Sequence, residues 1–310
     1  MELRHLRYFL AVASAENFTK ASETLHVSQP SLSVQIRDLE VELGTRQLVR
    51  LGRRVMLTQA GELFRDHAQR ALRELEQATQ LVQELHGAQR GRLVVGTLAT
   101  VISYLIAPLV SQFKQRFPGI HLQVHSQPSA DIVTGLLANR LDVGICLLPV
   151  PHAQLTTVPL FDERLVLIAP THYLLRQSRL RMQDLGGLPL VLMPVDYCLR
   201  TMVEAECAKA QIKTQVVLEM TSPEGILQAV AEGAGLTILP ELYVRLRLAG
   251  SGLRIIDLYD PVPRHSVGLA NQANRYQNIA AREFGTLCRT TMTRLFSRPK
   301  QGRRSIVRTG

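Results

Sequence analysis

Residues 26–44 read HVSQPSLSVQIRDLEVELG. Ser28 suits a helix N-cap, and Pro30 falls in the first turn, where its missing N–H costs nothing. Leu32, Ile36, Leu39 and Leu43 recur at i, i+4, i+7 and i+11, an apolar stripe along one helix face, and Gly44 ends it. Gln29, Ser31, Ser33, Val34, Gln35, Arg37 and Asp38 are left facing outward. Upstream, Asn17 can cap a helix over residues 18–25 with Phe18, Ala21 and Leu25 on one face. Leu3, Leu6, Phe9, Leu10 and Ala13 mark a shorter amphipathic helix before it. The local pattern is therefore a helix, a tight turn and a second helix whose exposed start carries small hydroxyls and amides.

Such a face has the chemistry for insertion into the DNA major groove: amides bond adenine in bidentate fashion, and hydroxyls and free N–H groups suit phosphates or base edges. Residues 1–45 hold four basic and six acidic groups, so charge alone does not carry this reading. Four arginines without an acid follow between positions 46 and 54, and Leu48-Val49-Arg50, the turn at 51–54 and Val55-Met56-Leu57 read as a β-hairpin. Directly after a helix-turn-helix, this hairpin reads as a wing whose arginines reach phosphates or the minor groove.

Thr58 can cap a long helix to about residue 86. Phe64, Ala71, Ala78 and Leu85 fall at one heptad site and Ala68, Leu75 and Val82 at another. Homodimerisation is expected along this alanine-rich stripe, and two copies suit a two-fold DNA site.

At 310 residues, 46% hydrophobic and 20% charged, the chain is too long for one compact domain and too apolar to be disordered for most of its length. The formal charge of +10 points to a polyanionic partner, but it is uneven: +2 over residues 1–92, 0 over 93–270 and +8 over 271–310. Residues 298–310 read as a basic disordered tail. Cys146, Cys198, Cys207 and Cys288 form no Cys-x-x-Cys, so neither a zinc cluster nor a secreted disulfide framework is expected. Glu2 stands where a signal peptide needs cations, and no run of 18 apolar residues exists, so a cytoplasmic protein without membrane contact is expected.

LRYFLAVASAENFTKASETLHVSQPSLSVQIRDLEVELG, the arginine-bearing wing and LTQAG at 57–61 together resemble the DNA-binding module of the LysR-type bacterial transcriptional regulators. The resemblance continues in order through the chain up to the tail. It implies an α/β protein with an N-terminal winged helix-turn-helix (1–58), a linker and dimerisation helix (59–90) and a two-lobed effector domain (91–297) like a periplasmic solute-binding protein. The lobes would be 92–161 plus 268–297, and 163–267. By this resemblance Ser28, Gln29, Pro30, Ser33 and Gln35 lie at the DNA face and Arg50, Arg53 and Arg54 in the wing; Ser31 and Arg37 join them from the outward face. The implied partners are a double-stranded operator with an interrupted inverted repeat, a small-molecule effector, a second copy and then a homotetramer, with RNA polymerase a further candidate. Gln47-Leu48 departs from the family's Leu-Phe at the base of the wing.

Short apolar strands alternate with helices after Gly91, the pattern of parallel sheets covered by helices. Strands are expected at 93–96, 120–125, 143–147, 165–169, 190–193, 215–219 and 236–239, and helices at 103–117, 130–139, 199–210, 223–232 and 278–295. Ligands of open α/β lobes sit beyond the carboxyl ends of strands, at helix starts, which picks the junctions 97–100, 127–129, 194–197 and 220–222, with Thr97, Thr100, Ser129, Tyr197 and Thr221 as the candidate effector-binding residues; the resemblance raises Thr100, Ser129 and Thr221 above the others. No cofactor is implied beyond a small-molecule co-inducer, and SYLIAPLV and LDVGICLLPVP look similar to the cyanate-responsive CynR branch, which implies a small anion or carboxylate.

Cys198 and Cys207 are spaced and flanked much as in the peroxide-sensing OxyR branch. On one straight helix, nine residues mean ~13 Å of rise and opposite faces, so a disulfide would require the segment to melt. Tyr197, Thr201 and His265 stand where that branch carries His, Asp and Arg. Redox sensing is the alternative reading, and a solute-binding protein is an alternative of another class for 92–297 alone, against which the attached helix-turn-helix argues. An enzyme ranks below both, because no phosphate loop, metal-spaced cluster or nucleophile with an identifiable base is found and no residue is assigned as catalytic or metal-binding.

Overall fold

The structure is a computed structural model describing residues 1–52, 54–85, 90–175, 177–273, 275 and 277–297. Two compact units divide near residue 88. Arg53, residues 86–89 at the foreseen end of the linker helix, and the tail 298–310 lie outside the described residues.

In the first unit, α1 (Leu3–Ala15), α2 (Phe18–Leu25) and α3 (Gln29–Leu43) are followed by β1 (Leu48–Leu51), β2 (Arg54–Leu57) and α4 (Gln59–Leu85). Local chemistry sets the boundaries. Asn17 Oδ1 accepts the Lys20 N–H at 3.1 Å, Ser28 Oγ accepts that of Ser31 at 3.3 Å, and Gly44 closes α3 in the left-handed conformation at φ 68°. The expected stripes of α2 and α3 converge in one core with Ala21, Leu32, Ile36 and Leu39, and α1 adds Leu6, Phe9 and Val12, whereas Leu3, expected in the same stripe, is 46% exposed. Full burial of each large side chain contributes about 1.5–3 kcal/mol.

Two contacts lock the wing to this core. The Val55 N–H donates to the Glu16 carbonyl at 2.8 Å, and Glu40 Oε1 accepts both the Gln47 and Leu48 N–H groups. Gln47 is 2% exposed, so the departure noted in the sequence places a polar side chain inside, where its amide donates to the Thr45 carbonyl but its Oε1 finds no partner. Thr58 starts α4 by accepting the Gly61 N–H at 3.0 Å.

The alanine-rich stripe of α4 is not one continuous seam. Phe64 packs edge-on against Phe9 at 5.1 Å and Ala68 is buried in the same three-helix core, so the first turns of the stripe are spent within the chain. Among the described side chains of the stripe, Leu75 and Val82, at 45% and 55% exposed, are the large apolar ones it leaves open. The physical reason is length: the first turns of α4 lie alongside α1, and the later ones extend past it.

The second unit opens with β3 (Gly91–Thr97), then α5 (Ala99–Val101), a π-helical turn (Ile102–Ile106), α6 (Ala107–Arg116), β4 (Ile120–Ser126), α7 (Ser129–Leu137) and β5 (Val143–Leu148). β6 (Leu155–Pro170) follows, with β7 (Arg179–Arg181), a 3-10 turn (Met182–Leu185), β8 (Pro189–Leu192), α8 (Cys198–Lys209) and β9 (Gln215–Glu219). α9 (Pro223–Ala231), β10 (Thr237–Pro240), α10 (Glu241–Arg245), β11 (Leu253–Tyr259), β12 (Arg264–Gln272) and α11 (Ile279–Ser297) complete it.

The sheets are mixed rather than wholly parallel. β3 pairs in parallel with β4 and β5, and β8 with β9, as strand–helix alternation requires. β12 runs antiparallel to β5 and β6, and β10 and β11 run antiparallel to β6. The 16-residue β6 serves two lobes: up to Arg164 it pairs with β12, and from Leu165 onward with β10 and β11. β12 joins first-lobe strands from Arg264 on, ahead of the position 268 expected from the sequence. Both crossings therefore meet at one place, where the Leu165 N–H donates to the Pro263 carbonyl at 2.9 Å.

Candidate functional site

In the first unit, α3 and the wing enclose an open groove of about 1150 Å³. Gln29, Pro30, Ser33, Arg37 and Arg50 line it, so five of the residues selected from the sequence meet there. Ser28 and Ser31 are exposed at the start of α3, and Gln35 lies on an adjoining face. Arg46, the first of the four arginines between positions 46 and 54, also lines the groove.

The side chains at this face are anchored. Arg50 donates to Ser33 Oγ at 2.9 Å, and its guanidinium lies 4.3 Å above the Phe18 ring. Arg54 pairs with Glu16 at 2.7 Å. His5 accepts the Glu2 N–H on Nδ1, which leaves Nε2 to donate to Gln35 Oε1 at 3.2 Å. Phe18 and His5 were missed as contributors because each acts across the fold, His5 on a residue 30 positions away. A helix presenting amides and hydroxyls beside held cations can read base edges while contacting phosphates.

In the second unit a cavity of about 70 Å³ opens at the ends of β3, β4 and β5 and faces α8 and α9. Thr100, Ser129, Tyr197 and Thr221 line it, as does Cys198. Thr97 does not: it is fully buried, and its Oγ1 has no hydrogen-bond partner. Several helices begin at the cavity, α7, α8 and α9 among them. Ser129 opens α7 and accepts the Leu147 N–H at 3.1 Å, Ser222 caps α9 beside Thr221, and α8 starts at Cys198 without a side-chain cap. Among the described residues, no Lys, Arg, Asp or Glu lines the cavity. Hydroxyls and helix N-termini without an acidic group favour an anionic or strongly accepting occupant.

His265 also lines this cavity, a residue that sequence reading had treated only as a departure from a pattern. It stands opposite Glu163 in the β12–β6 register, with Nε2 3.6 Å from Glu163 Oε2. Glu163 takes the Tyr104 hydroxyl at 3.0 Å on Oε2 and the Leu242 N–H at 2.9 Å on Oε1. Tyr104 belongs to the π-helical turn of the first lobe and Leu242 to α10 of the second, so this carboxylate ties both lobes at their crossing. Burial, then the charge of Glu163, push the Tyr104 phenol well above its ordinary range and keep it a donor.

Cys198 and Cys207 lie at opposite ends of α8. Cys198 is half-buried at the cavity, whereas Cys207 is buried in the second-lobe core with Val203 and Leu190. Burial, with the charges of Glu204 and Glu206, pushes the Cys207 thiol up to about 11. Arg200, between them, donates to Glu204 at 2.6 Å, to Glu219 at 2.8 Å and to the Met193 carbonyl, pinning α8 to β9 and to the end of β8.

Comparison with known proteins agrees with this arrangement. Residues 3–62 match the family of bacterial regulatory helix-turn-helix proteins of the lysR type, and residues 86–293 match the LysR substrate binding domain. The DNA-binding transcriptional dual regulator OxyR of Escherichia coli is 32% identical over 286 residues, covering 90% of this chain and 94% of the relative. The regulator AlsR of Bacillus subtilis is 31% identical over 243 residues, covering 77% and 80%. A full-length OxyR variant from Pseudomonas aeruginosa superposes with a TM-score of 0.71 at 29% identity, covering 93% of this chain and 98% of that one. Full-length CbnR complexed with its target DNA superposes with a TM-score of 0.73 at 24% identity, over 94% and 100%, and so shares the fold. With a winged helix-turn-helix before a two-lobed α/β effector domain, the chain belongs to the LysR family of DNA-binding transcriptional regulators.

Proposed function

We propose that this regulator senses a small anion or carboxylate in the cleft between its lobes and reads an interrupted inverted repeat as a homodimer that pairs into a tetramer. The carrying observation is the convergence of Thr100, Ser129, Thr221 and the starts of α7, α8 and α9 on a cavity of about 70 Å³. Since water occupies about 30 Å³ in the liquid, this volume suits an occupant of a few heavy atoms. Ligand that prefers one lobe arrangement shifts the population of both, and the crossing at Arg164–Leu165 is where such a shift is absorbed.

Anion binding is tested by thermal unfolding of the full chain with formate, acetate and their neutral amides, because a ligand that binds the folded state raises its melting temperature. Stabilisation by the amides alone would overturn the anion reading. DNA reading is tested by Gln29→Ala, expected to reduce discrimination between operator and random DNA, and by Arg53→Ala, expected to weaken both and flatten the salt dependence. Equal losses on both DNAs for Gln29→Ala would remove it as a sequence reader.

A second reading, thiol sensing of peroxide, is favoured by Cys198 lying at the cavity and by relatives such as the hydrogen peroxide-inducible genes activator of Dickeya chrysanthemi, 32% identical over 286 residues. Disulfide formation with Cys207 requires α8 to unwind, because the two thiols sit at its opposite ends. A Cys198→Ser chain whose operator binding still responds to peroxide would end this reading.

A further inference from the structure

Glu163 and His265 are both buried, at 1% and 4% side-chain exposure, and both belong to the strands that cross between the lobes. His265 Nε2 faces the carboxylate, whereas Nδ1 is buried and has no hydrogen-bond partner although the residue lines the cavity. A buried polar atom without a partner is costly, and a bound ligand at this site can supply one. Among the described residues His265 is the side chain within ion-pair reach of Glu163, and it carries charge only when its ring is protonated. An enclosed carboxylate is stabilised by an opposite charge in reach.

We propose that His265 is the specificity-determining residue of the cleft, its protonated ring directing Nε2–H to Glu163 and donating Nδ1–H to one oxygen of a compact monovalent anion. This rests on the reading of the cleft as an anion site. The proton stays on the ring, and no bond is made or broken. In the neutral ring, with Nε2–H kept toward Glu163, Nδ1 would present a lone pair and repel the anion. Affinity for the anion therefore follows the protonated ring and falls when the proton is lost at higher pH. Among the described residues, the titratable groups around the ring are Glu163 of β6, Tyr104 of the π-helical turn bonded to it, and Tyr197 and Cys198 at the start of α8, which line the same cavity.

The test is isothermal titration of the full chain with formate and acetate, and with formamide and acetamide as neutral shapes, at about pH 6 and about pH 8.5. The anions are expected to bind about tenfold or more tightly at the lower pH, and the amides equally at both. Binding at the higher pH takes up close to one proton, read from the heats in two buffers of different ionisation enthalpy. His265→Gln, which keeps an amide but cannot titrate, is expected to lose the pH step and the proton uptake and still bind the amides. Anion affinity that ignores pH in the original chain, or a pH step that survives in His265→Gln, would overturn the proposal while leaving the cleft as the binding site. A chain that binds none of the four compounds would overturn the reading of the cleft itself, and this inference with it.

Discussion

The guanidinium of Arg50 rests 4.3 Å above the ring of Phe18. Its donation to Ser33 Oγ fixes it at the edge of α3, so the guanidinium is held in one orientation. Preorganisation lowers the entropy lost on binding.

Arg50→Ala is expected to weaken binding to all DNA and to reduce the salt slope of log K by about one. Arg50→Lys keeps the charge and the slope, but a point ammonium cannot both stack and donate in the same fork, so binding weakens by about 0.5–1 kcal/mol. Fluorescence anisotropy across a salt series separates the two. Identical slopes for Arg50→Ala and the original chain would show that Arg50 makes no phosphate contact.

Gly61 is required by proximity. A Cβ built there would lie 2.1 Å from the Gln47 carbonyl oxygen, which also accepts the Thr58 N–H. Gly61→Ala must push α4 off the base of the wing and is expected to cost about 1–3 kcal/mol, read by urea unfolding.

Glu241 is a source of acid sensitivity. Hydrogen bonding from Arg164, then from Arg245, outweighs its burial and holds its carboxyl down at about 2. A carboxylate depressed in the folded state contributes stability above its unfolded value, about 4.3, and loses it as pH falls toward the folded one. The melting temperature is therefore expected to decline from about pH 4.3 down to about 2. Glu241→Gln should flatten that part of the curve.

Thiol reactivity should separate the four cysteines. Burial pushes Cys146 and Cys288 up to about 12 and, with neighbouring acids, Cys207 to about 11, whereas Cys198 is half-buried. Brief N-ethylmaleimide treatment of the native chain near neutral pH is expected to label Cys198 first, and denatured chain all four thiols, by mass spectrometry. Early labelling of Cys207 would mean that α8 opens readily, which favours thiol sensing.

Much of the first unit was legible because its signals are local. Asn17, Ser28 and Gly44 act within four residues of themselves, and the stripe of α3 repeats at the helical period. Residues 253–272 were not read as strands. Proline at 261 and 263 and mixed polarity hide β11 and β12, whose pairing partners lie about 80 to 120 residues earlier in the chain. Thr97 and Thr100 looked equivalent at the end of one strand, yet pleat and helix start turn Thr100 to the cavity and bury Thr97. Glu163 carried no motif and His265 stood out only as a departure from a pattern, since their pairing arises from cross-strand register.

What the amino-acid order determined by itself is the helix-turn-helix, its wing and the alternation of strands and helices, because caps, turns and periodic burial are short-range effects. Only the tertiary structure decided which polar groups share a site: Arg50 with Phe18 and Ser33, Thr100 with Thr221, His265 with Glu163. Contacts of that kind depend on long-range packing and strand register, which residues distant in the chain settle together when the core closes.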